Sequence, residues 1–372
     1  MRFIDTPAAM QTLRDAVRDA PLIALDTEAA GYHRYFDRMC VLQISTRDET
    51  FVVDALAVDI ATIAPQLADP RHETVLHDAD YDLRLLRRDH GIILRGLFDT
   101  KIAAQLLGES ALGLAGLAGK HLGVKLNKKH QRADWARRPL SEELLAYAAD
   151  DTRHLPLLRD RLRELLGEAG RLHWAEEEFR LRESMEPAVA ENGDAWLRLK
   201  NTRDLGPRQL ASLRELYAWR DETARSRDVA TFRVLGNEAL VAIARGMPET
   251  EAALARTEGM PGSLVVRYAE GLLGAVRRAV GLPREDLPVR KRGPRRPPPD
   301  PEFESAVDRL KAARDQAAQE LGLDRGFLMP RQQLEDMVRL RPRDEESMGQ
   351  VPDMRAWQIE AAGALLLKAL RR

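Results

Sequence analysis

The 372-residue sequence has one cysteine, few aromatic residues and almost no net charge. With Cys40 alone, no disulfide within the chain and no thiolate zinc cluster can form, which favours a reducing compartment. Lys and Arg number 58 against 59 Asp and Glu, so the chain is not the uniformly basic type that grips duplex nucleic acid over its whole surface. Basic groups that bind nucleic acid would therefore have to be local.

Long apolar runs are also missing from the sequence. None approaches the roughly 18–20 residues that a membrane span needs, and the first ten residues, MRFIDTPAAM, lack the pattern of a signal peptide. We therefore expect a cytoplasmic protein with no membrane partner. What is abundant is Leu, Ala and Arg, a composition that indicates a large helical content.

Strand-like and helix-like runs alternate in the first third of the chain, which predicts an α/β layer fold with a mixed sheet. A polar turn at residues 46–49 predicts a hairpin. A helix is expected to start at Tyr81 and stop at Gly91, and Asp99-Thr100 should cap the next helix. The predicted strands are residues 22–25, 41–45, 50–53, 74–77 and 94–98.

From Ser141 onward the pattern is almost entirely helical, and Pro156 should kink or end the first of these helices. Residues 186–193 read as a break. Two later stretches, 204–282 and 302–370, have similar lengths and helical patterns and could be a diverged tandem repeat. Between them, residues 283–301 are basic and proline-rich, which predicts an extended, semi-rigid linker.

Acidic residues follow two of the predicted strands. Asp26 and Glu28 alternate along the first strand, so they project from one face and would repel each other without a cation. The run 77–82, His-Asp-Ala-Asp-Tyr-Asp, follows a later strand and opens a helix, where Asp80 could cap and Asp82 would lie in the first turn. Alone, each pattern also fits an ordinary strand end or an acidic first helical turn.

A third acidic position lies on a later helix. Tyr147 and Asp151 are four residues apart and share one helix face, and the small Ala148 and Ala149 would let that helix pack closely on a sheet. By itself the pattern also fits a core tyrosine beside surface acids.

The three clusters are more informative together. Asp26, Glu28, Asp82 and Asp151 could converge at one edge of an α/β sheet. Four carboxylates suit two hard divalent cations roughly 3.5–4 Å apart, the arrangement used for phosphoryl displacement. Because no His or Cys ligands accompany them, Mg²⁺ or Mn²⁺ is favoured over zinc.

These motifs resemble a known superfamily. D-T-E at 26–28, H-x-A-D-x-D at 77–82 and Y-x-x-x-D at 147–151 resemble the DEDD 3′→5′ exonucleases in their tyrosine subclass. Residues 121–140, containing K-K-H-Q-R-A-D-W, and the F-D-T at 98–100 are similar to the ribonuclease D family.

The helical stretches resemble a second known domain. Residues 204–282, with Trp219 to Ala224, resemble an HRDC domain, and residues 302–370 resemble a degenerate second copy. The resemblances imply a ribonuclease H-like exonuclease domain with a mixed sheet over residues 1–185, followed by two all-α HRDC-like modules. No GxxxxGK[ST] motif supports a helicase motor.

For the site, the resemblance implies that Asp26, Glu28 and Asp151 hold the metal ion that activates water. Asp26 would also bridge to a second ion that stabilises the leaving 3′ oxygen. Asp82 would act mainly through bound water, and Tyr147 would orient the attacking water.

Contacts to RNA are expected from the local basic segment 125–138. Cations that pair with phosphates and an interleaved aromatic that stacks on a base suit a single strand. An equally weighted alternative is a charged surface loop with Trp135 packed inward. The basic run 290–296 could add phosphate contacts or be a solvated tether. The candidate contacts are Lys128, Lys129, Gln131, Arg132, Trp135 and Arg137.

The resemblance thus implies a metal-dependent 3′→5′ exoribonuclease that releases nucleoside 5′-monophosphates and needs no small-molecule cofactor. Its partners would be single-stranded RNA 3′ ends, with tRNA precursors or other structured RNAs as natural substrates. Two alternatives remain open. A 3′→5′ DNA exonuclease is one, since carboxylates alone do not distinguish the sugars. A non-catalytic nucleic-acid-binding scaffold is the other.

Overall fold

The computed structural model describes residues 1–127, 129–185, 192–290 and 300–371. Lys128, residues 291–299 of the predicted linker with most of its basic run, and residues 186–191 of the predicted break therefore lie outside the described residues. Within the described ranges, no helix combines the length and the apolar character that a bilayer crossing requires. These residues form two compact units, the first from 1–28, 39–185 and 300–371 and the second from 29–38 and 192–290.

A six-stranded mixed sheet forms the centre of the first unit. Its spatial order is β1-β4-β3-β2-β5-β6. The β3–β4 pair is antiparallel, as the hairpin prediction requires, whereas β1–β4, β2–β5 and β5–β6 are parallel. The strands are β1 (Arg2–Ile4), β2 (Leu22–Ala29), β3 (Met39–Ser45), β4 (Thr50–Asp54), β5 (Glu73–Leu76) and β6 (Leu97–Asp99).

Among the described residues up to 185, eight helices accompany this sheet. Pro156 lies in the first turn of the helix that begins at Leu155, and the preceding helix ends at Arg153, as the sequence predicts. The helices are α1 (Pro7–Arg18), α2 (Ala64–Leu67), α3 (Asp80–His90), α4 (Thr100–Leu106), α5 (Leu114–Leu122), α6 (Glu142–Arg153), α7 (Leu155–Glu168) and α8 (Leu172–Ser184).

The first strand and helix are absent from the sequence predictions, although α1 has clear local causes. The Thr6 hydroxyl accepts the Ala9 N–H over 3.2 Å and caps the helix. Met10, Leu13 and Val17 then recur at helical spacing and are buried. The three residues of β1 are too few to show a strand period, and they are fixed by pairing with β4.

Two features at the β6 edge correct the predictions. The strand expected at 94–98 covers only Leu97–Asp99, because Gly96 takes φ +71° and the Arg95 N–H bonds to the Leu67 carbonyl instead. Asp80 does not cap α3; it is the first helical residue and pairs with Arg84 and Arg182. The end of α3 at the left-handed Gly91 is as predicted.

The C-terminal helices of the first unit pack on α8. Trp357 stacks on Trp174 with ring centroids 5.3 Å apart, and its Nε1 donates to Glu178 over 2.7 Å. Glu177 accepts the N–H groups of Ala356 and Trp357, which satisfies free donors at that helix start. These helices are α14 (Pro301–Leu321), α15 (Arg325–Leu328), α16 (Arg331–Leu340), α17 (Glu345–Met348) and α18 (Ala356–Leu370).

The second unit is a helical module with its own apolar core. Residues 29–38, between β2 and β3 in sequence, pack on it: the Tyr35 hydroxyl donates to Asp221, and Asp228 accepts the Tyr35 N–H. Its helices are α9 (Pro207–Ser226), α10 (Thr231–Val234), α11 (Asn237–Gly246), α12 (Glu251–Ala255) and α13 (Gly262–Gly281).

The two five-helix modules repeat one pattern. Helix lengths run 20, 4, 10, 5 and 20 residues in α9–α13 and 21, 4, 10, 4 and 15 in α14–α18. Each long first helix buries an arginine that donates to a carbonyl 15 residues ahead: Arg220 to Leu235 at 3.0 Å and Arg314 to Met329 at 3.1 Å. The shared lengths and the shared internal bond support the tandem repeat suggested by the sequence.

Candidate active site

Three carboxylates from two elements meet in the first unit. Ligand oxygens of Asp26, Glu28 and Asp151 lie within 4.8 Å of one another, and all three side chains are partly buried. Asp26 and Glu28 share a face because side chains alternate along β2. Asp151 comes from α6, more than 120 residues later.

Local packing holds α6 at the sheet. Ala148 and Ala149 are fully buried, so the helix backbone approaches β3 and β4 closely, as predicted from their size. The hydroxyls of Ser45 on β3 and Thr152 on α6 hydrogen-bond at 2.8 Å. Ser141 caps the helix by accepting the Leu144 N–H. These contacts fix the position of α6 on the sheet and thereby place Asp151 next to Asp26 and Glu28.

The fourth candidate ligand, Asp82, is not part of this group of three carboxylates. It is 6% exposed in the first turn of α3, and its Oδ1 accepts the Thr27 hydroxyl at 2.5 Å. Thr27 stands between Asp26 and Glu28 on β2. The fourth carboxylate is therefore tied to the same strand through a hydroxyl, a role for Thr27 that the sequence pattern alone does not reveal.

A second buried carboxylate fixes the start of α3. Asp99 accepts the N–H groups of Asp78 and Ala79, at 3.1 and 2.9 Å, which lie just before that helix. It also accepts the N–H groups of Lys101 and Ile102 and caps α4, as predicted. One side chain thus positions two helix starts, and the placement of Asp82 depends on it.

Burial and crowding raise the pKa values of the carboxyl groups in this cluster. Burial and the charges of its three carboxylate neighbours raise the pKa of Asp26 well above its ordinary value. Burial and the charges of Asp151 and Asp82 raise the pKa of Glu28 to about 9. Burial raises the pKa of Asp82 to about 7, although the Thr27 hydroxyl acts in the opposite direction.

Asp151 and Tyr147 share the inner face of α6. Burial and the charge of Asp150 raise the pKa of Asp151 to about 7, while hydrogen bonding with Tyr147 opposes the rise. Burial and the nearby carboxylates raise the pKa of the Tyr147 hydroxyl, so it stays protonated at neutral pH. It can therefore act as a hydrogen-bond donor there.

The trio opens into a cleft of about 450 Å³. Its far wall is the start of α5, from Gly113 to Ala115. The remaining lining side chains come from β2, the residue after β5, the segment between α5 and α6, and α6 itself; they are Thr27, His77, Leu126, Asn127, Gln131 and Tyr147. A strand end of nucleic acid is a suitable occupant of an open acidic cleft of this kind once cations offset the charge.

The side chains of the basic segment 125–138 differ in their exposure to solvent. Gln131 lines the cleft, and Lys129, Arg132 and Arg137 are solvent-exposed. Trp135 is only 1% exposed and its ring lies 6.0 Å from that of Tyr147. Stacking of Trp135 on a base is therefore wrong, and the alternative of an inward-packed indole is correct.

Arg138 explains how this segment is held. It donates to both carboxylate oxygens of the buried Asp54 at 2.6 Å and to the carbonyls of Trp135 and Cys40. Such a bidentate pair is geometrically specific. Arg138 thus fixes the segment to the sheet rather than offering its charge to a ligand.

The residues present fit divalent cations. The donor set consists of carboxylate oxygens, which hard cations prefer. Burial and mutual repulsion hold the carboxyl pKa values high, and positive charge would relieve both costs. The site is therefore consistent with divalent metal use.

Comparisons with known proteins agree with this geometry. Residues 1–167 match the 3'-5' exonuclease family, and residues 209–276 and 303–370 each match the HRDC domain. The ribonuclease D of Gluconacetobacter diazotrophicus is 32% identical over 315 residues, 84% of this chain and 80% of that protein. Exosome complex component 10 of Mus musculus is 36% identical over 236 residues, which are 61% of this chain and 27% of that one.

A solved structure agrees over the whole length. RNase D of Escherichia coli, described as an exoribonuclease involved in structured RNA processing, superposes with a TM-score of 0.70 at 27% identity, covering 100% of this chain and 98% of that one. The fold, the acidic cleft and the family match define a 3′→5′ exonuclease. More narrowly, the chain belongs to the ribonuclease D family and is a 3′→5′ exoribonuclease. The predicted fold class and enzyme class are confirmed.

Proposed function

We propose that this exoribonuclease uses two divalent cations, Mg²⁺ or Mn²⁺, held by Asp26, Glu28, Asp82 and Asp151. The observation that carries the proposal is that ligand oxygens of Asp26, Glu28 and Asp151 lie within 4.8 Å of one another. Bound there, two cations would make a water nucleophilic at neutral pH and stabilise the charge of the leaving 3′ oxygen.

The protein side chains divide the remaining work. Tyr147, protonated and on the same helix face as Asp151, orients the attacking water by hydrogen bonding. Asp82, whose Oδ1 accepts the Thr27 hydroxyl, would act mainly through bound water. Removal of one terminal nucleotide at a time then releases nucleoside 5′-monophosphates.

The substrate we propose is the single-stranded 3′ end of a structured RNA, such as a tRNA precursor. Similarity to the Escherichia coli enzyme, described as acting in structured RNA processing, supports this choice. Gln131 would contact the terminal nucleotides in the cleft, and the exposed Lys129, Arg132 and Arg137 would pair with phosphates further along the strand. Lys128 belongs to the same proposed set by sequence.

The domain division that we propose follows the sequence. Residues 1–185 carry the chemistry, 204–282 and 302–370 are HRDC domains, and 283–301 connect them. Packing of the last module against α8 through Trp174 and Trp357 supports a role for it in stabilising the catalytic unit.

The deciding experiment incubates the purified full chain with 5′-labelled single-stranded RNA and with DNA of the same sequence. Each is tested with Mg²⁺, with Mn²⁺ and with chelator. We expect a ladder that shortens from the 3′ end of RNA, vanishes with chelator and is absent for Asp151→Asn. Equal shortening of DNA would favour the general exonuclease, and a chelator-resistant ladder would refute the metal site.

A further inference from the structure

His77 lies in the cleft but has no role in the metal chemistry described above. It follows β5 directly and lines the cleft together with Asp26, Glu28 and Tyr147. The β2–β5 register pairs Ala24 with Val75. Continued by two residues past that pair, it puts His77 level with Asp26, on the same face of the sheet.

The ring of His77 is fixed by one hydrogen bond. Its Nδ1 lies 2.9 Å from the Thr100 hydroxyl oxygen. That hydroxyl donates its single proton to the carbonyl of Leu76 at 3.1 Å. Because a hydroxyl has one proton to give, it must accept from His77, and Nδ1 therefore carries the N–H. Thr100 and Leu76 are both fully buried, so water does not compete for this arrangement.

The charge state of the ring follows from its surroundings. Burial lowers the pKa of His77, with Lys101 acting in the same direction, while Asp99 and Asp78 oppose the shift. The imidazole is then neutral at pH 7, with Nδ1 protonated and Nε2 as a lone-pair acceptor.

We propose that His77 Nε2 accepts a hydrogen bond from a ribose 2′-hydroxyl at the 3′ end of the substrate and so makes the site favour RNA over DNA. The inference rests on the exoribonuclease function proposed above and assigns its sugar selectivity to one side chain.

The chemistry of the possible partners supports this choice. Phosphate oxygens are acceptors only, so a neutral Nε2 gains nothing from them. The 2′-hydroxyl is a donor that RNA has and DNA lacks. Base N–H groups also donate, but they differ from base to base, whereas an enzyme that removes successive nucleotides meets every base. The sugar hydroxyl is the donor common to all four ribonucleotides.

The test combines a variant with single-atom changes in the substrate. Steady-state kcat/KM is measured with all-RNA oligonucleotides and with otherwise identical oligonucleotides carrying one 2′-deoxy sugar at the last, penultimate or third position. The proteins are the full chain, His77→Phe and His77→Gln. Phe keeps a planar ring but offers no acceptor, whereas Gln keeps a side-chain oxygen.

We expect the wild type to lose roughly 3- to 10-fold in kcat/KM at one deoxy position, the size of one neutral hydrogen bond. His77→Phe should lose that much on all-RNA and nothing further at the same deoxy position. His77→Gln should recover part of the discrimination. Equal losses by His77→Phe on all-RNA and on every deoxy substrate would overturn the proposal, as would a loss that follows base identity instead.

Two controls separate this outcome from others. Binding of the same oligonucleotides to Asp151→Asn, with and without His77→Phe, repeats the comparison without turnover, and thermal unfolding checks that each variant folds. Failure of the wild type to shorten RNA with either metal would count against the proposed function itself. Active wild type with unchanged sugar selectivity in His77→Phe counts against His77 alone.

Discussion

Thr27 donates its hydroxyl to Asp82 at 2.5 Å, joining β2 to the first turn of α3 across 55 residues of sequence. The bond lies in a buried setting, since Thr27 is 7% and Asp82 6% exposed. It links the middle residue of the D-T-E motif to the carboxylate of the second motif. The two motifs are therefore one structural unit.

Removing that bond should impair catalysis without removing a carboxylate. In Thr27→Val the Asp82 side chain loses its anchor, and its pKa rises further because the hydroxyl had opposed the rise. We expect kcat to fall about 10-fold or more, the scale of a hydrogen bond to a charged group, and the activity profile to move to higher pH. Thr27→Ser, which keeps the hydroxyl, should stay near wild type. A Val variant as active as the Ser variant would refute the anchoring role.

Neutralising one carboxylate of the trio should have opposite effects on activity and on metal-free stability. Asp26→Asn and Asp151→Asn each remove a proposed ligand, so we expect hydrolysis to fall by about 10³-fold or more. Each also removes like-charge repulsion, so melting in chelator should occur at or above the wild-type temperature. Mg²⁺ should raise the melting temperature of the wild type more than that of either variant. Normal turnover by either would refute the two-metal proposal.

The raised carboxyl pKa values predict a pH-dependent stability. Burial in the folded chain raises the pKa of Glu28 to about 9 and the pKa values of Asp82 and Asp151 to about 7, against roughly 4 for carboxyl groups in the unfolded chain. Between these values the folded state binds more protons, so the free energy of unfolding without metal should fall as the pH rises from about 4 to about 9. Urea titrations in chelator at pH 5, 7 and 9 measure this. Stability that rises over that range would contradict the cluster's electrostatics.

The same titrations govern cation binding. A cation displaces the retained protons, so its affinity should increase from pH 6 to pH 8.5 and binding at pH 7 should release protons. Calorimetry in two buffers with different ionisation enthalpies counts the protons released. Identical apparent enthalpies in the two buffers would show that no proton leaves and that the carboxyl groups are already ionised.

Tyr147→Phe should slow the chemical step while leaving the cations bound. The ring stays buried against Trp135 and only the hydroxyl is lost. We expect kcat to fall on the order of 10²-fold, as for a misplaced reactant, which is less than the loss in Asp151→Asn. The Mg²⁺-induced rise in melting temperature should persist. If Tyr147→Phe turns over at the wild-type rate, the hydroxyl does not orient the water.

The pair of Arg138 and Asp54 should matter for stability rather than for RNA binding. Arg138→Leu leaves the Asp54 carboxylate, 5% exposed, without its bidentate partner. We expect a loss of about 3 kcal/mol in the free energy of unfolding. Arg161→Leu, which breaks an exposed pair with Glu164, should cost less than about 1 kcal/mol. Similar losses in the two variants would contradict a special role for Arg138.

The part of the site that the sequence predicts follows from local spacing of residues along a strand or a helix. Asp26 and Glu28 are two apart on a strand, and Tyr147 and Asp151 are four apart on a helix, so each pair's shared face follows from backbone geometry. Gly91 and Asp99 likewise mark helix boundaries through local hydrogen bonding. These are short-range properties that survive in a single sequence.

What could not be predicted depends on partners distant in sequence. Trp135 sits among basic residues, and only the packed structure shows that it is core. Nothing near Thr27 signals its bond to Asp82, and nothing near Tyr35 signals its bond to Asp221. Asp80 has the residue type of a cap, but its carboxylate pairs with the distant Arg182 as well as with Arg84 on the same helix. In each case tertiary contacts decided between locally equivalent alternatives.

The buried arginine common to the two helical modules separates what the modules share from what distinguishes them. In each module the buried guanidinium, of Arg220 or Arg314, donates to a backbone carbonyl of the same module. The interaction that the modules share is thus internal to each one. The outer contacts differ between the modules: Trp357 of the second module packs on α8, whereas Asp221 of the first module accepts the Tyr35 hydroxyl. The two modules therefore combine one internal framework with two different outer surfaces.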